Sequence, residues 1–465
     1  MTPSPRKDQA RARPEEPARA VASAPDPYAR TAIPGGPTVL TERVPGVRSV
    51  STGVWVRAGG AHESPELLGV SHLLEHMVFK GSERRTARDF ALELESRGGS
   101  LDAYTSREHT AYTARVLDTD LDVALDVLSD LVRNPLLREE DLVLEREVVL
   151  EEIAQVDDTP DDLVFELHGE RLWRDHPYGR PILGTRETVG ALAAADLRRL
   201  HGRAYVPANM VIAAAGNVAH DAFVERVAEL FAGDAAAARG DGAATDGERG
   251  ASEPSRPPHA DPASTPAIPA IDAPPQPVPE ATLVARDTAQ AHIVAACATP
   301  GHADPLRYAM ILVSNAFGGG MSSRLFQRIR EEMGLSYTVY AFQSFYRLAG
   351  VAGAYLGTRP EWAERATDAL RQECRRLADE GLTAEELEDG RNQLKGSLLL
   401  SLESTSARLQ RLAGAELYDE PWLSPDELAA RIDAVSAADA ARAAAVAFDP
   451  DRQVLLQLGP ERGPA

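Results

Sequence analysis

The chain has 465 residues, 43% of them hydrophobic and 26% charged, with a formal net charge of -22. That composition is globular, that length calls for two or more domains, and that acidity counts against nucleic acid as a partner while favouring basic ligands. No run reaches the 18 or so apolar residues needed to cross a membrane. The two cysteines, Cys297 and Cys374, form no CxxC pattern and support neither a disulfide framework nor a cysteine metal site.

Residues 1–37 are rich in Pro, Ala, Arg and Glu and carry no apolar stretch of the kind a secretory signal has. They are expected to form a disordered tail, and the default compartment is the cytoplasm. A first body is expected over residues 38–232. It opens with a strand in VSTGVWVRAGGAHE, followed by a helix that Ser64 caps, Pro65 begins and Gly81 ends. That helix contains SHLLEHMVFK (Ser71–Lys80). His72 and His76 are four apart, hence on one face one turn apart, and Glu75 sits beside them. Leu73, Leu74, Met77 and Val78 anchor the helix in a core.

After Gly98-Gly99-Ser100 comes a strand pair, LDAYTSREHTAYTARVL, then an amphipathic helix over Asp120–Val132. A further helix is expected over Arg138–Asp158. Glu145 and Glu152 lie two turns apart on its one face, with Val148 and Val149 expected to bury that face. Glu147 and Glu151 share another face and read as solvated. Residues 233–279 are Ala, Gly, Pro, Ser and Asp with almost no large apolar side chains, and read as a disordered linker.

The second body, 280–460, repeats the plan of the first. A strand in QAHIVAACATPGHA leads to a helix through Phe317, then Gly334-Leu335-Ser336, a strand pair, and a long helix over Glu361–Ala378. Strands joined by short turns and followed by helices indicate α+β units with mainly antiparallel sheets packed with helices. The parallel order indicates an internal duplication, two similar α/β-sandwich domains.

The chemistry concentrates in HLLEH. Two histidines with one carboxylate and an open fourth position make a catalytic zinc site. Glu152 is the candidate for the third ligand, and Glu145 for a group that accepts a hydrogen bond from a ligating imidazole.

HxxEH with a distant Glu resembles the M16 metallopeptidases, the pitrilysin, insulin-degrading and mitochondrial-processing-peptidase family, whose motif is the reversed, inverzincin order. MVFKGS, GGSLDAYTSREHTAY, ERxVVxEE, HPYGRPILGT (His176–Thr185) and SRLFQRIREEMGLSY (Ser323–Tyr337) are similar to this family as well, closest to its smaller bacterial processing-peptidase-like members. The resemblance implies a LuxS/MPP-like metallohydrolase architecture with one Zn2+ per chain. It implies His72 and His76 as ligands, Glu75 as the base, and Glu152, which lies 76 residues after His76, as the third ligand. The second body has MILVS (Met310–Ser314) where the first has HLLEH, so no metal is expected there. Arg330 and Tyr337 match a substrate-facing Arg and Tyr seven apart in the family's C-terminal domains. Asp102-Ala103 stands where the family usually has Asn-Ala, and Asp102, Ala103 and Tyr104 lie on the strand expected to receive substrate by edge addition.

The implied activity is that of a zinc endopeptidase cleaving short or unfolded peptides, with basic segments a weaker expectation from the net charge. The resemblance further implies a homodimer, or a heterodimer with a related subunit, whose partner lends Arg330 and Tyr337 to each metal site. The alternative is a non-catalytic M16-like subunit serving as a scaffold or peptide-binding partner.

Overall fold

The computed structural model describes residues 27–231 and 268–460. Within them the chain builds two sheets. The first is formed by β1 (Tyr28–Ala32), β2 (Thr38–Arg43), β3 (Ser49–Val56), β4 (Ser100–Thr105), β5 (Thr110–Leu117) and β6 (Met210–Gly216), in the order β1-β2-β6-β3-β5-β4. Its helices are α1 (Val70–Val78), α2 (Ala87–Glu95), α3 (Leu121–Arg133), α4 (Glu139–Asp158), α5 (Pro160–Trp173), α6 (Arg186–Ala191), α7 (Ala194–Ala204) and α8 (His220–Phe231).

The second sheet contains β7 (Glu280–Ala285), β8 (Ala291–Pro300), β9 (Thr338–Phe345), β10 (Ala349–Thr358) and β11 (Val454–Gly459), in the order β7-β11-β8-β10-β9. Its helices are α9 (Arg307–Gly318), α10 (Ala363–Glu380), α11 (Ala384–Ser401), α12 (Thr405–Leu417), α13 (Pro425–Asp433) and α14 (Ala437–Phe448), with a π-helical segment over Phe326–Glu332.

The two sheets share one topology. The order β2-β6-β3-β5-β4 maps onto β7-β11-β8-β10-β9. Even the single parallel pair recurs, β2 with β6 and β7 with β11, while the remaining pairings are antiparallel. The duplicated α+β plan read from the sequence is therefore the fold. Cys297 in β8 and Cys374 in α10 are free and buried.

Apart from α5 and α12, the helices that pack on each sheet come from its own half and lie on one face. The other face is covered by a helix from the opposite half. Leu163, Val164, Leu172 and Trp173 of α5 pack on Val294, Ala296, Val351, Tyr355 and Leu456 of the second sheet. Leu409, Leu412, Ala413 and Leu417 of α12 pack on Leu40, Trp55, Val211 and Ala213 of the first. Polar contacts follow the same exchange. Glu42 on β2 is buried and paired with Arg408 and Arg411 of α12, and Ser51 Oγ lies 2.9 Å from Thr405 Oγ1. A buried carboxylate needs such partners because desolvation otherwise disfavours its charge.

Four local expectations are corrected. Residues 28–32, read as part of a disordered tail, form β1, which pairs antiparallel with β2. Its supports are distant in sequence: Tyr28 stacks on Trp422 at 4.9 Å, and Arg30 Nε lies 2.8 Å from Glu416 Oε2. Residues 1–26 lie outside the described residues, as do residue 232 and 233–267 of the expected linker. The remainder of that linker packs on the domains, with Ile268 against the first core and the Asp272 carbonyl 2.8 Å from His176 Nε2. The histidine helix does not start at Ser64-Pro65, which instead open a 3-10 turn over Pro65–Leu67. Gly69, at φ +88°, breaks the chain direction, and α1 begins at Val70 and ends at Val78, before Gly81. Finally, Val149 is buried but Val148 is 43% exposed, because α4 buries only one narrow stripe.

Candidate metal centre

The i, i+4 spacing on α1 stacks the two imidazoles edge to face, with ring centroids 4.6 Å apart. Buried Val70, Leu73, Leu74, Met77 and Val78 hold the helix against the first core, so the histidine face has one orientation. The helix α4 crosses beside it and brings up Glu152. His72 Nε2 is 3.6 Å from Glu152 Oε2, and His76 Nε2 is 3.7 Å from Glu152 Oε1. One ligand atom from each of the three residues falls within 4.8 Å of the others, and among the described residues no other cluster of His, Cys, Asp and Glu does this.

This donor set fits zinc. Nitrogen and oxygen ligands about 2.0–2.2 Å from one tetrahedral ion stand about 3.4 Å apart, close to the two separations found. The residues in MILVS lie on α9 instead; Met310 and Ser314 are buried in the second half and offer no comparable donors.

The two imidazoles are held differently. His76 Nδ1 is 3.2 Å from Glu145 Oε2, and the other oxygen of Glu145 is paired with Lys80 Nζ. An ionised carboxylate can only accept, so Nδ1 of His76 donates to Glu145 while its Nε2 faces Glu152. His72 Nδ1 is buried with no hydrogen-bond partner. Burial, and secondarily the neighbouring His76, pushes the His72 imidazole down to about 4, so it is neutral at ordinary pH. Glu147 and Glu151 are exposed.

Glu75 is outside the ligand cluster. It is 9% exposed and accepts a hydrogen bond of 2.6 Å from Thr105 Oγ1, at the end of β4. Burial raises its pKa above the ordinary carboxylate value; the Thr105 bond and His76 oppose that rise, and the charges of Glu152 and Asp102 add to it. Asp102 is exposed, with its Oδ1 accepting the Ala103 N–H at 2.9 Å. It therefore acts on Glu75 through charge rather than contact. Strand β4 is one edge of the first sheet and, among the described residues, pairs only with β5. Leu101 and Ala103 face the first core. Tyr104 points the other way: its hydroxyl donates to Gln410 Oε1 at 2.9 Å and accepts from Trp55 Nε1 at 3.3 Å. Strand alternation explains this, and the Tyr104 side chain belongs to the contact with α12.

Arg330 and Tyr337 are brought together with each other. The Arg330 guanidinium lies 4.5 Å from the ring centroids of both Tyr337 and Phe326, and Tyr337 is 77% exposed. They line a groove of about 400 Å³ with Gln290, Arg359 and Trp362. No hydrogen bond, ion pair or ring contact joins either residue to the histidine cluster among the described residues.

Sequence reasoning missed Thr105, Lys80 and Glu63. The first two stood inside quoted motifs, but nothing in their spacing named their partners. Glu63 carried no signal at all.

The Insulinase (Peptidase family M16) domain matches residues 38–186, and the Peptidase M16 inactive domain matches residues 191–394. The chain belongs to the M16 peptidase family. The second match begins ahead of β6, which the fold places in the first sheet. Among M16 relatives, an uncharacterized zinc protease of Streptomyces coelicolor is 39% identical over 411 residues, covering 88% of this chain and 85% of the relative. The uncharacterized zinc protease YmxG of Bacillus subtilis is 35% identical over 401 residues, covering 86% of this chain and 91% of that protein. In fold, the chain is similar to a protease from Helicobacter pylori, with a TM-score of 0.80 at 19% identity, covering 93% of this chain and 99% of that one. A Pseudomonas fluorescens structure described as a peptidase M16 inactive domain gives a TM-score of 0.81 at 20% identity, covering 94% and 99%. No helix among the described residues is long and apolar enough to cross a membrane.

Proposed function

We propose that this M16 chain is a zinc-dependent endopeptidase acting on short or unfolded peptides, with one Zn2+ held by His72, His76 and Glu152. The observation that supports this best is the convergence of those three side chains from two separate helices, with Glu75 left out of the cluster yet beside it. Zinc, when bound, supplies Lewis acidity, lowering the pKa of a coordinated water and polarising the scissile carbonyl.

The chain's own residues do the rest. Glu75 accepts the proton of the attacking water on its carboxylate and returns it to the leaving amine. Thr105 holds that carboxylate in place. Glu145, steadied by Lys80, fixes the tautomer and tilt of His76. The peptide adds as an extended strand along the free edge of β4 at Leu101–Thr105, where backbone hydrogen bonding tolerates many sequences. Arg330 and Tyr337 are assigned to the substrate of a second subunit, a copy of this chain or a related M16 chain, where they stabilise developing negative charge. Asp102 disfavours acidic residues near the cut.

The deciding experiment compares the parent with Glu75→Gln and Glu152→Gln for zinc content and for cleavage of a mixed library of unstructured peptides. Glu75→Gln is expected to keep zinc and lose turnover by several powers of ten; Glu152→Gln is expected to lose zinc. A parent that binds zinc but cleaves nothing would favour a scaffold subunit, and equal cleavage by parent and Glu75→Gln would end the mechanism.

A further inference from the structure

Glu63 is a buried carboxylate that the proposed chemistry does not use. It is 7% exposed and stands ahead of α1 in the chain. Its Oε2 accepts the Gly69 N–H at 2.8 Å and its Oε1 accepts the Ser71 N–H at 2.7 Å. Arg180 Nη1 donates to the Glu63 backbone carbonyl at 2.6 Å, which ties the site to the HPYGRPILGT segment.

A helix start leaves N–H groups without intrahelical partners, and buried ones need an acceptor from elsewhere. The usual answer is a Ser, Thr, Asp or Asn at the capping position. Position 69 cannot use it. Gly69 has φ +88°, and a Cβ there would lie 2.5 Å from the Leu183 carbonyl oxygen. The approach is reciprocal: Gly184, at φ +78°, would put a Cβ 2.4 Å from the Leu68 carbonyl oxygen. Thr188 Oγ1 completes the clasp by donating to that same oxygen at 2.9 Å. The cap must therefore come from outside the helix, and a carboxylate supplies two acceptors together with a charge that suits the positive end of the helix dipole. One of the two N–H groups it holds belongs to Ser71, the residue next to His72.

We propose that Glu63 is a positioning residue for the metal centre: by clamping the first turn of α1 against the Gly69–Gly184 crossing, it fixes the rotation of the helix and so the aim of His72 and His76 toward Glu152. This rests on the zinc reading above. Outer groups that orient metal ligands commonly change metal affinity by about 10–100-fold when removed.

The test uses the apo form of the full chain at pH 8, with zinc affinity measured by competition against a chromogenic chelator and the melting temperature of the apo protein recorded alongside. The parent, Glu63→Gln and Glu63→Asp are compared well below their melting temperatures. Glu63→Gln, which keeps one acceptor and turns an amide donor toward an N–H, is expected to bind zinc about tenfold more weakly or worse. Glu63→Asp, which keeps the charge on a shorter arm, is expected to fall between it and the parent. A role limited to stability would lower the melting temperature and leave zinc affinity within about twofold of the parent, and that result overturns the proposal. If Glu63→Gln does not fold, Glu63→Asp decides by the same pair of measurements. A parent that binds no zinc overturns the metal reading and this proposal with it, whereas a zinc-binding parent with unaffected variants removes only the role of Glu63.

Discussion

Thr105 Oγ1 donates a 2.6 Å hydrogen bond to Glu75 Oε2, so the end of edge strand β4 is joined directly to the carboxylate beside the histidine pair. A hydrogen bond to a charged group is worth about 1.5–3 kcal/mol. Thr105→Val, which keeps the shape and removes the donor, is expected to lower turnover of an unstructured peptide by roughly 10–100-fold at unchanged zinc content. Thr105→Ser is expected to retain most of the activity. Full activity in Thr105→Val would show that Glu75 is oriented by other contacts.

Glu145 stands between Lys80 and His76 and is buried on α4. Glu145→Ala is expected to weaken zinc binding by about 10–100-fold in a chelator competition. Glu147→Ala, on an exposed face of the same helix, is the control and is expected to change nothing. Indistinguishable affinities for the two variants would remove Glu145 from the site.

His168 on α5 is buried, with Nε2–H donating to the Val454 carbonyl at 3.0 Å, and burial pushes its imidazole down to about 4. An unfolded histidine takes up its proton near pH 6.5. Between pH 6.5 and about 4 the unfolded chain therefore holds a proton that the folded chain refuses. Stability is present above that window and is lost as pH falls through it, at up to about 1.4 kcal/mol per pH unit for this group. Urea denaturation at a series of pH values should show His168→Gln with a shallower acid-side slope than the parent; parallel slopes would contradict the assignment.

Leu412 on α12 is fully buried against the opposite half's sheet. Leu412→Ala is expected to cost about 2–5 kcal/mol, as deletion of a large aliphatic group from a packed core does, read as a lowered urea midpoint. A loss below about 0.5 kcal/mol, ordinary for a surface position, would mean that α12 is not a structural part of the first half.

The candidate metal cluster was legible partly because its signals are local or periodic, and partly because the resemblance to M16 peptidases singled out Glu152, 76 residues after His76. His72 and His76 share a helix face by spacing, and Glu145 and Glu152 share another by the same rule. The duplicated plan was legible because both halves punctuate their strands and helices in the same order. What escaped depends on contacts between distant segments. Strand β1 is supported by Glu416 and Trp422 from the far half. The start of α1 is set by Gly184 pressing on Leu68 and by Glu63, a lone acidic residue that no pattern distinguishes. Tyr104 sits in a motif on the candidate substrate strand, yet alternation turns its side chain toward Gln410.

The exchange of α5 and α12 between the halves has a consequence for how the chain is held together. Each sheet is roofed on one side by a helix encoded in the other half, so neither half expressed alone has a finished interior. Cleaving the backbone between residues 231 and 268 should leave a single particle, and the two fragments, co-expressed from separate reading frames, should assemble into it.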